Sequence, residues 1–208
     1  MTVPDEPVAT DPSAATGHPF VERAVSSRIL HRGRYLTFRV DTVERPDGSR
    51  AERDICGHPG AVAVLAIDDR DRVLLVRQYR LAAGEMLLEL PAGTLEVDPA
   101  TGAVEAPDRA APRELEEEAG VVADTWRHLG RFWTAPGFAT EEMHLYLATG
   151  LRTIREGVLG EDEDERLELE RLPWREAVRL AETGGIRDAK SILGLFWLAR
   201  LEGGSHER

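Results

Sequence analysis

Four carboxylates fall within five consecutive positions of the helix-forming stretch Arg113–Val121, RELEEEAGV. At the helical repeat, Glu114, Glu117 and Glu118 stand at i, i+3 and i+4 and share one face, whereas Glu116 points elsewhere. Three like charges on one face repel, and the cost is offset if the face holds hard divalent cations. Mg²⁺ in particular is held by a few carboxylates together with substrate phosphates. Most charge runs are simply solvated faces. An exposed helix, however, intersperses Lys for i,i+4 pairing, and this one offers only Arg113. The pattern therefore points to metal-assisted phosphate chemistry.

Arg113, Glu114, Leu115, Glu117, Glu118, Gly120 and Val121 resemble the core of the Nudix box, R-E-U-x-E-E-x-G-U with U aliphatic. The upstream Glu of the box falls on Glu105, eight positions before Arg113, and its Gly on Gly93 in LLELPAG. Eleven residues, TLEVDPATGAV, separate these two where the family pattern has five, an insertion of six. Asp98, Pro99, Thr101 and Gly102 mark it as a turn-rich loop extension, which costs little entropy. Pro112 is expected to kink the helix just before the acidic cluster or to delay its start.

The resemblance implies an α+β fold, an α/β/α sandwich around a mixed sheet. It also implies hydrolysis of a diphosphate by water attack at phosphorus. Glu114, Glu117, Glu118 and the Ala92 carbonyl would then hold Mg²⁺ or Mn²⁺. Arg113 would orient the cluster, with Gly93, Glu105 and Gly120 as the structural residues of the box. Related enzymes place the general base outside the box. The run Glu161–Leu169 resembles the loop that supplies it in ADP-ribose pyrophosphatases, which makes Glu163 the base and Glu165 a further ligand. Glu163, Glu118 and Arg113 form the implied catalytic set. A run of five acids is also what a solvated turn looks like, and Glu141 or Glu142 is the alternative base.

Pro136, in WTAPGF sixteen positions after Gly120, resembles the marker of the same subfamily. VRQYR, LLELPAG, YLATGL and DAKSILGLFWL extend the likeness over about residues 35–201. The implied reaction is ADP-ribose to AMP and ribose 5-phosphate. Other nucleoside diphosphate sugars or oxidised nucleotides are the alternative, and a ligand-sensing Nudix module without turnover is a third. Arg53 and Arg80 suit phosphate by bidentate contact, although either would serve equally as a surface ion pair. An adenine ring would stack on Phe38, Tyr35 or Trp133, which spacing does not rank. A homodimer is implied as well.

Composition narrows the classes. A net charge of −12 argues against nucleic acid and anionic membrane as main partners. A lone cysteine, Cys56, cannot form an intramolecular disulfide, which fits a reducing cytoplasm. No apolar run is long enough to span a membrane. With 208 residues and 42% hydrophobic content, one good core and a small appendage are expected.

Around the box, residues 1–19 are rich in Pro, Ala, Thr and Asp and are expected to be disordered. Residues 20–57 form a β unit, a hairpin Tyr35–Glu44 and Arg50–Cys56 turning at Arg45-Pro46-Asp47-Gly48. A lone hairpin is not stable, so it must pack on the main domain or on another subunit, and a dimer contact is one expected use. Residues 58–202 carry the hydrolase domain and 203–208 a loose tail. Within the domain, strands are expected at Ala61–Ile67, Val73–Arg80, Met86–Leu90, Trp126–Trp133, Met143–Thr149 and Arg166–Arg171. Helices follow at Trp174–Glu182 and Ala189–Leu201, the second capped by Asp188.

Overall fold

Strand β4, Ala61–Ala66, has every residue buried, and its side chains alternate between two separate cores. Ala61, Ala63 and Leu65 join one core; Val62, Val64 and Ala66 join the other. A strand covered on both faces reads as a continuous apolar run rather than an alternating one. The computed structural model describes His18, residues 20–154 and residues 167–203. It divides into two units, Met1–Pro59 with Ala135–Glu141, and Gly60–Thr134 with Glu142–Arg208.

In the first unit, β1 (Arg23–Arg32), β2 (Thr37–Glu44) and β3 (Arg50–Gly57) form an antiparallel sheet in that order. The expected hairpin is β2 and β3. Strand β1 was not anticipated, because RAVSSRILHR lacks clean alternation and its pairing with β2 is broken by two irregularities. Cys56 pairs with Ala139 from the returning segment, donating its N–H to the Phe138 carbonyl at 2.7 Å.

The second unit carries β4, β5 (Arg72–Arg80), β6 (Glu85–Glu89), β7 (Ala92–Thr94), α1 (Pro107–Ala119), β8 (Val121–Trp133), β9 (Glu142–Thr153), β10 (Glu168–Pro173), α2 (Trp174–Thr183) and α3 (Ala189–Gly203). One sheet is mixed, in the order β7-β4-β9-β8, with β4 and β9 parallel; the other is antiparallel, β10-β5-β6. Ala110, Ala111, Leu115 and Ala119 of α1 close the core on one side of β4. Ala177 and Ala181 of α2, Leu195 and Leu198 of α3, and Ile186 between them close the other. The result is the expected α/β/α sandwich. Each large aliphatic side chain buried here contributes about 1.5–3 kcal/mol.

Asp188 caps α3 as expected, accepting the Ser191 N–H at 3.0 Å. Gly184, left-handed at φ 81°, ends α2. The three residues of β7 were not anticipated, since so short a strand has no period to read. Among the described residues no helix is long and apolar enough to cross a membrane.

Candidate active site

Helix α1 starts at Pro107, where the missing N–H would have had no partner, and its start is not delayed by Pro112. It runs on through Pro112 to Ala119 without that residue's ladder bond. Gly120 ends it in the left-handed region, φ 60° and ψ 31°, with its N–H on the Glu116 carbonyl. That conformation explains the glycine: a side chain there would cost about 1 kcal/mol.

Next to the apolar stripe of α1 lie Glu114 and Glu118, only 8% and 7% exposed. Carboxylates so buried need partners, and both turn toward β7. A Glu118 carboxylate oxygen accepts the Ala92 N–H at 2.8 Å. The Glu114 carboxyl fills the place of a side chain at Gly93: a Cβ there would lie 1.9–2.1 Å from its atoms. Only glycine permits this approach of helix and strand.

Arg113 gathers the remaining acids. Its guanidinium reaches Glu105 and Glu117 at 2.8 Å and Glu114 at 2.9 Å. The Arg113 hydrogen bond is the main cause holding the Glu105 carboxyl below its usual range. For Arg113, burial works against the charge, but the Glu105 hydrogen bond and the charges of Glu114 and Glu117 prevail and raise its pKa. The insertion does not carry Glu105 away. Val97 pairs with Val104, Asp98 N–H donates to the Ala103 carbonyl at 2.9 Å, and Glu105 N–H donates to the Glu96 carbonyl at 2.8 Å. The Asp98 side chain accepts the Ala100 N–H at 2.7 Å and sets the turn.

The donors offered here are carboxylate and backbone carbonyl oxygens, the set that suits a hard divalent cation. Among the described residues no three His, Cys, Asp or Glu side chains stand ready to enclose an ion. The carboxylates are spread over Arg113 and the Ala92 N–H.

Arg80 lies in the same unit and forms a two-toothed pair with Glu89, both distances 2.8 Å. Glu89 is 1% exposed. Burial pushes its carboxyl up, but hydrogen bonds and charge from Arg80 and Lys190 outweigh this and leave it lowered. A lowered carboxylate contributes stability that is complete above its unfolded value, about 4.3, and lost as pH falls through the folded value. The melting temperature of wild type is thus expected to exceed that of Glu89→Gln clearly at pH 7, and the gap to shrink below about pH 4. Calorimetry over that range checks it; a gap independent of pH would contradict the assignment. The sequence signal for Glu89 was a lone charge inside the apolar run LLEL.

Arg53 and Pro136 belong to the first unit. Arg53 pairs with Glu22, and Pro136 is an exposed residue of the turn in which Ala139 N–H donates to the Ala135 carbonyl. Tyr35, Phe38 and Trp133 are all exposed. Glu141 lies 3.7 Å from His58, and Glu142 lies 3.3 Å from Arg131. Glu163 and Glu165 fall outside the described residues, as do most of residues 1–19 and of the tail.

The Nudix domain family matches residues 57–194. The chain belongs to the Nudix family. Ahead of the Nudix domain, residues 22–55 match the nucleoside diphosphate sugar hydrolase N-terminal domain. Over 92% of its length the chain is 38% identical to a methanol dehydrogenase activator of Bacillus methanolicus, covering all of that protein. It is 36% identical to an ADP-ribose pyrophosphatase of Bacillus subtilis over 85% of its length and 92% of that relative. With an ADP-ribose pyrophosphatase of Mycobacterium tuberculosis the identity is 40%, over 82% and 80% of the two chains. A crystal structure of an ADP compounds hydrolase superposes with a TM-score of 0.73 at 24% identity, covering 90% of this chain and 97% of that one, a likeness of fold. Nudix hydrolases generally need a divalent metal.

Proposed function

We propose that the protein is a Mg²⁺-dependent Nudix pyrophosphohydrolase that cleaves ADP-ribose to AMP and ribose 5-phosphate. The observation that carries the reading is the convergence of Glu114 and Glu118 on the Ala92–Gly93 backbone, with Arg113 gathering Glu105 and Glu117 beside them. The similarity to two ADP-ribose pyrophosphatases over more than 80% of the chain supports the substrate. Glu114, Glu117, Glu118 and the Ala92 carbonyl would hold the cation. Bound there, Mg²⁺ supplies charge neutralisation on the phosphates and a water of lowered pKa.

The protein's own groups do the rest. Arg113 keeps the acidic side chains oriented, and Arg80 meets the diphosphate. Water forms a new P–O bond, the bridging P–O bond breaks, and the bridging oxygen leaves on the other phosphate. Glu163 takes the water's proton, and Glu165 adds a ligand. Glu163→Gln is expected to lower kcat by about 10²–10⁴-fold with KM little changed. An unchanged kcat at saturating Mg²⁺ would remove Glu163 from that role.

The function itself is tested by following AMP and ribose 5-phosphate release from ADP-ribose beside UDP-glucose, GDP-mannose and an oxidised nucleotide, with Mg²⁺ or Mn²⁺. Preference for ADP-ribose, abolished by chelator, is the expected result. Preference for another substrate would keep the chemistry and discard the substrate.

A cytoplasmic homodimer is part of the same proposal. Leu30, Leu36 and Phe38 are 42–47% exposed on and beside the sheet of the first unit, an apolar group suited to a second copy. Leu36→Glu/Phe38→Glu is expected to sediment as a monomer; an unchanged dimer would exclude this face.

A further inference from the structure

The Arg80–Glu89 pair belongs to a larger polar group, of which the diphosphatase reading uses only Arg80. Lys190, 8% exposed, donates to the same Glu89 carboxylate and lies 3.0 Å from Asp188. Two cations and two anions balance. On the far side of Glu89, the Leu90 N–H donates to the Ser191 hydroxyl at 2.7 Å, and Ser191 in turn is tied to Asp188. The end of β6 is therefore pinned to the first turn of α3 immediately next to Glu89.

Stability does not account for this arrangement. A carboxylate in an apolar strand must repay its desolvation, and a buried ionic group can often be exchanged for apolar residues without loss. Glu89 lies between buried Leu88 and Leu90 in the chain and is itself 1% exposed, so its charge is carried wholly inside the protein. What the ionic group does achieve is to fix a guanidinium. Glu89 takes Nε and Nη2 of Arg80, leaving Nη1 turned from the pair on a side chain that remains 42% exposed.

We infer that Glu89 is a positioning residue: sharing its carboxylate between Arg80 and Lys190, it fixes the Arg80 guanidinium and presents that group's free edge to the substrate diphosphate. The inference rests on the diphosphatase reading. It makes the strand LLEL and the helix start DAKS a single device joined across the fold, and it predicts that Glu89 acts only through Arg80.

The test measures KM and kcat for ADP-ribose, with thermal melting, in wild type, Glu89→Gln, Arg80→Ala and the double variant. Glu89→Gln is expected to raise KM about tenfold while kcat changes far less, the signature of lost substrate binding rather than lost chemistry. In the Arg80→Ala background the same change should add nothing to KM. A folded Glu89→Gln variant with wild-type KM, or single effects that multiply in the double variant, would overturn the inference. If Glu89→Gln does not fold, Glu89→Gln/Lys190→Met removes opposite charges together and leaves fewer unpaired ions. It should show the same rise in KM, and a wild-type KM there would be equally fatal. Absence of ADP-ribose turnover in wild type would instead overturn the functional reading, and this inference with it.

Discussion

Glu118→Gln is expected to lower kcat for ADP-ribose by at least about a hundredfold while the protein melts within a few degrees of wild type. The separation follows from what each atom does. Glu118 accepts the Ala92 N–H with one oxygen, and a glutamine can present its amide oxygen to the same donor. The side chain is 7% exposed, so exchanging a charge for a neutral amide of the same shape relieves desolvation. Folding is thus spared and the negative charge is removed. Changes in the partners around a metal's ligands cost about 10–100-fold, and loss of a ligand itself should exceed that. Calorimetric titration with Mg²⁺ should show weakened binding in the same variant. Glu116→Gln, on another part of the helix surface, is the control and should leave turnover intact. Full activity in Glu118→Gln would sink the proposed metal role.

Gly93→Ala is the second large effect, and it reaches the same site by steric means. The new methyl would overlap the Glu114 carboxyl, whose atoms lie 1.9–2.1 Å from the Cβ position. Either β7 moves away from α1 or Glu114 leaves. The end of a flexible side chain moves more easily than a strand hydrogen-bonded to β4, so Glu114 should be displaced. Stability is then expected to fall by about 1–3 kcal/mol, as for other overpacked sites, and kcat by about a hundredfold or more. Adding Glu114→Asp withdraws the carboxyl by one methylene and should return part of the stability without returning activity. Wild-type turnover in Gly93→Ala would mean that Glu114 keeps its place while β7 yields, or that it has no part in the reaction.

The acidic face of α1 and its closing glycine were legible because a helix writes its neighbours three and four residues apart. Strand β4 was legible as a strand from its apolar run, whereas its burial on both faces came from the fold. Asp188 as a cap and the turn chemistry of the insertion are likewise local. What could not be read was written at long range or without period. Glu89 and Lys190 stand 101 positions apart, and nothing near either names the other. Arg80 read equally as a phosphate contact or as a surface ion pair, and only the fold shows that its partner is the buried Glu89. Pro112 argued for a kink or a later start, yet the helix begins at Pro107, because losing one ladder bond is a smaller cost than uncovering Ala110 and Ala111. Strand β1 owes its form to pairing with β2 rather than to any pattern of its own.

The closed turn between Val97 and Val104 has a wider consequence. Because these two residues face each other across an antiparallel bridge, the chain leaves and re-enters the box at almost the same point. Residues 98–103 are therefore a module with a fixed socket, and their number is decoupled from the geometry of Glu105 and Arg113. The length of this tip can thus change at little entropic cost without moving the Glu105–Arg113 pair that follows it.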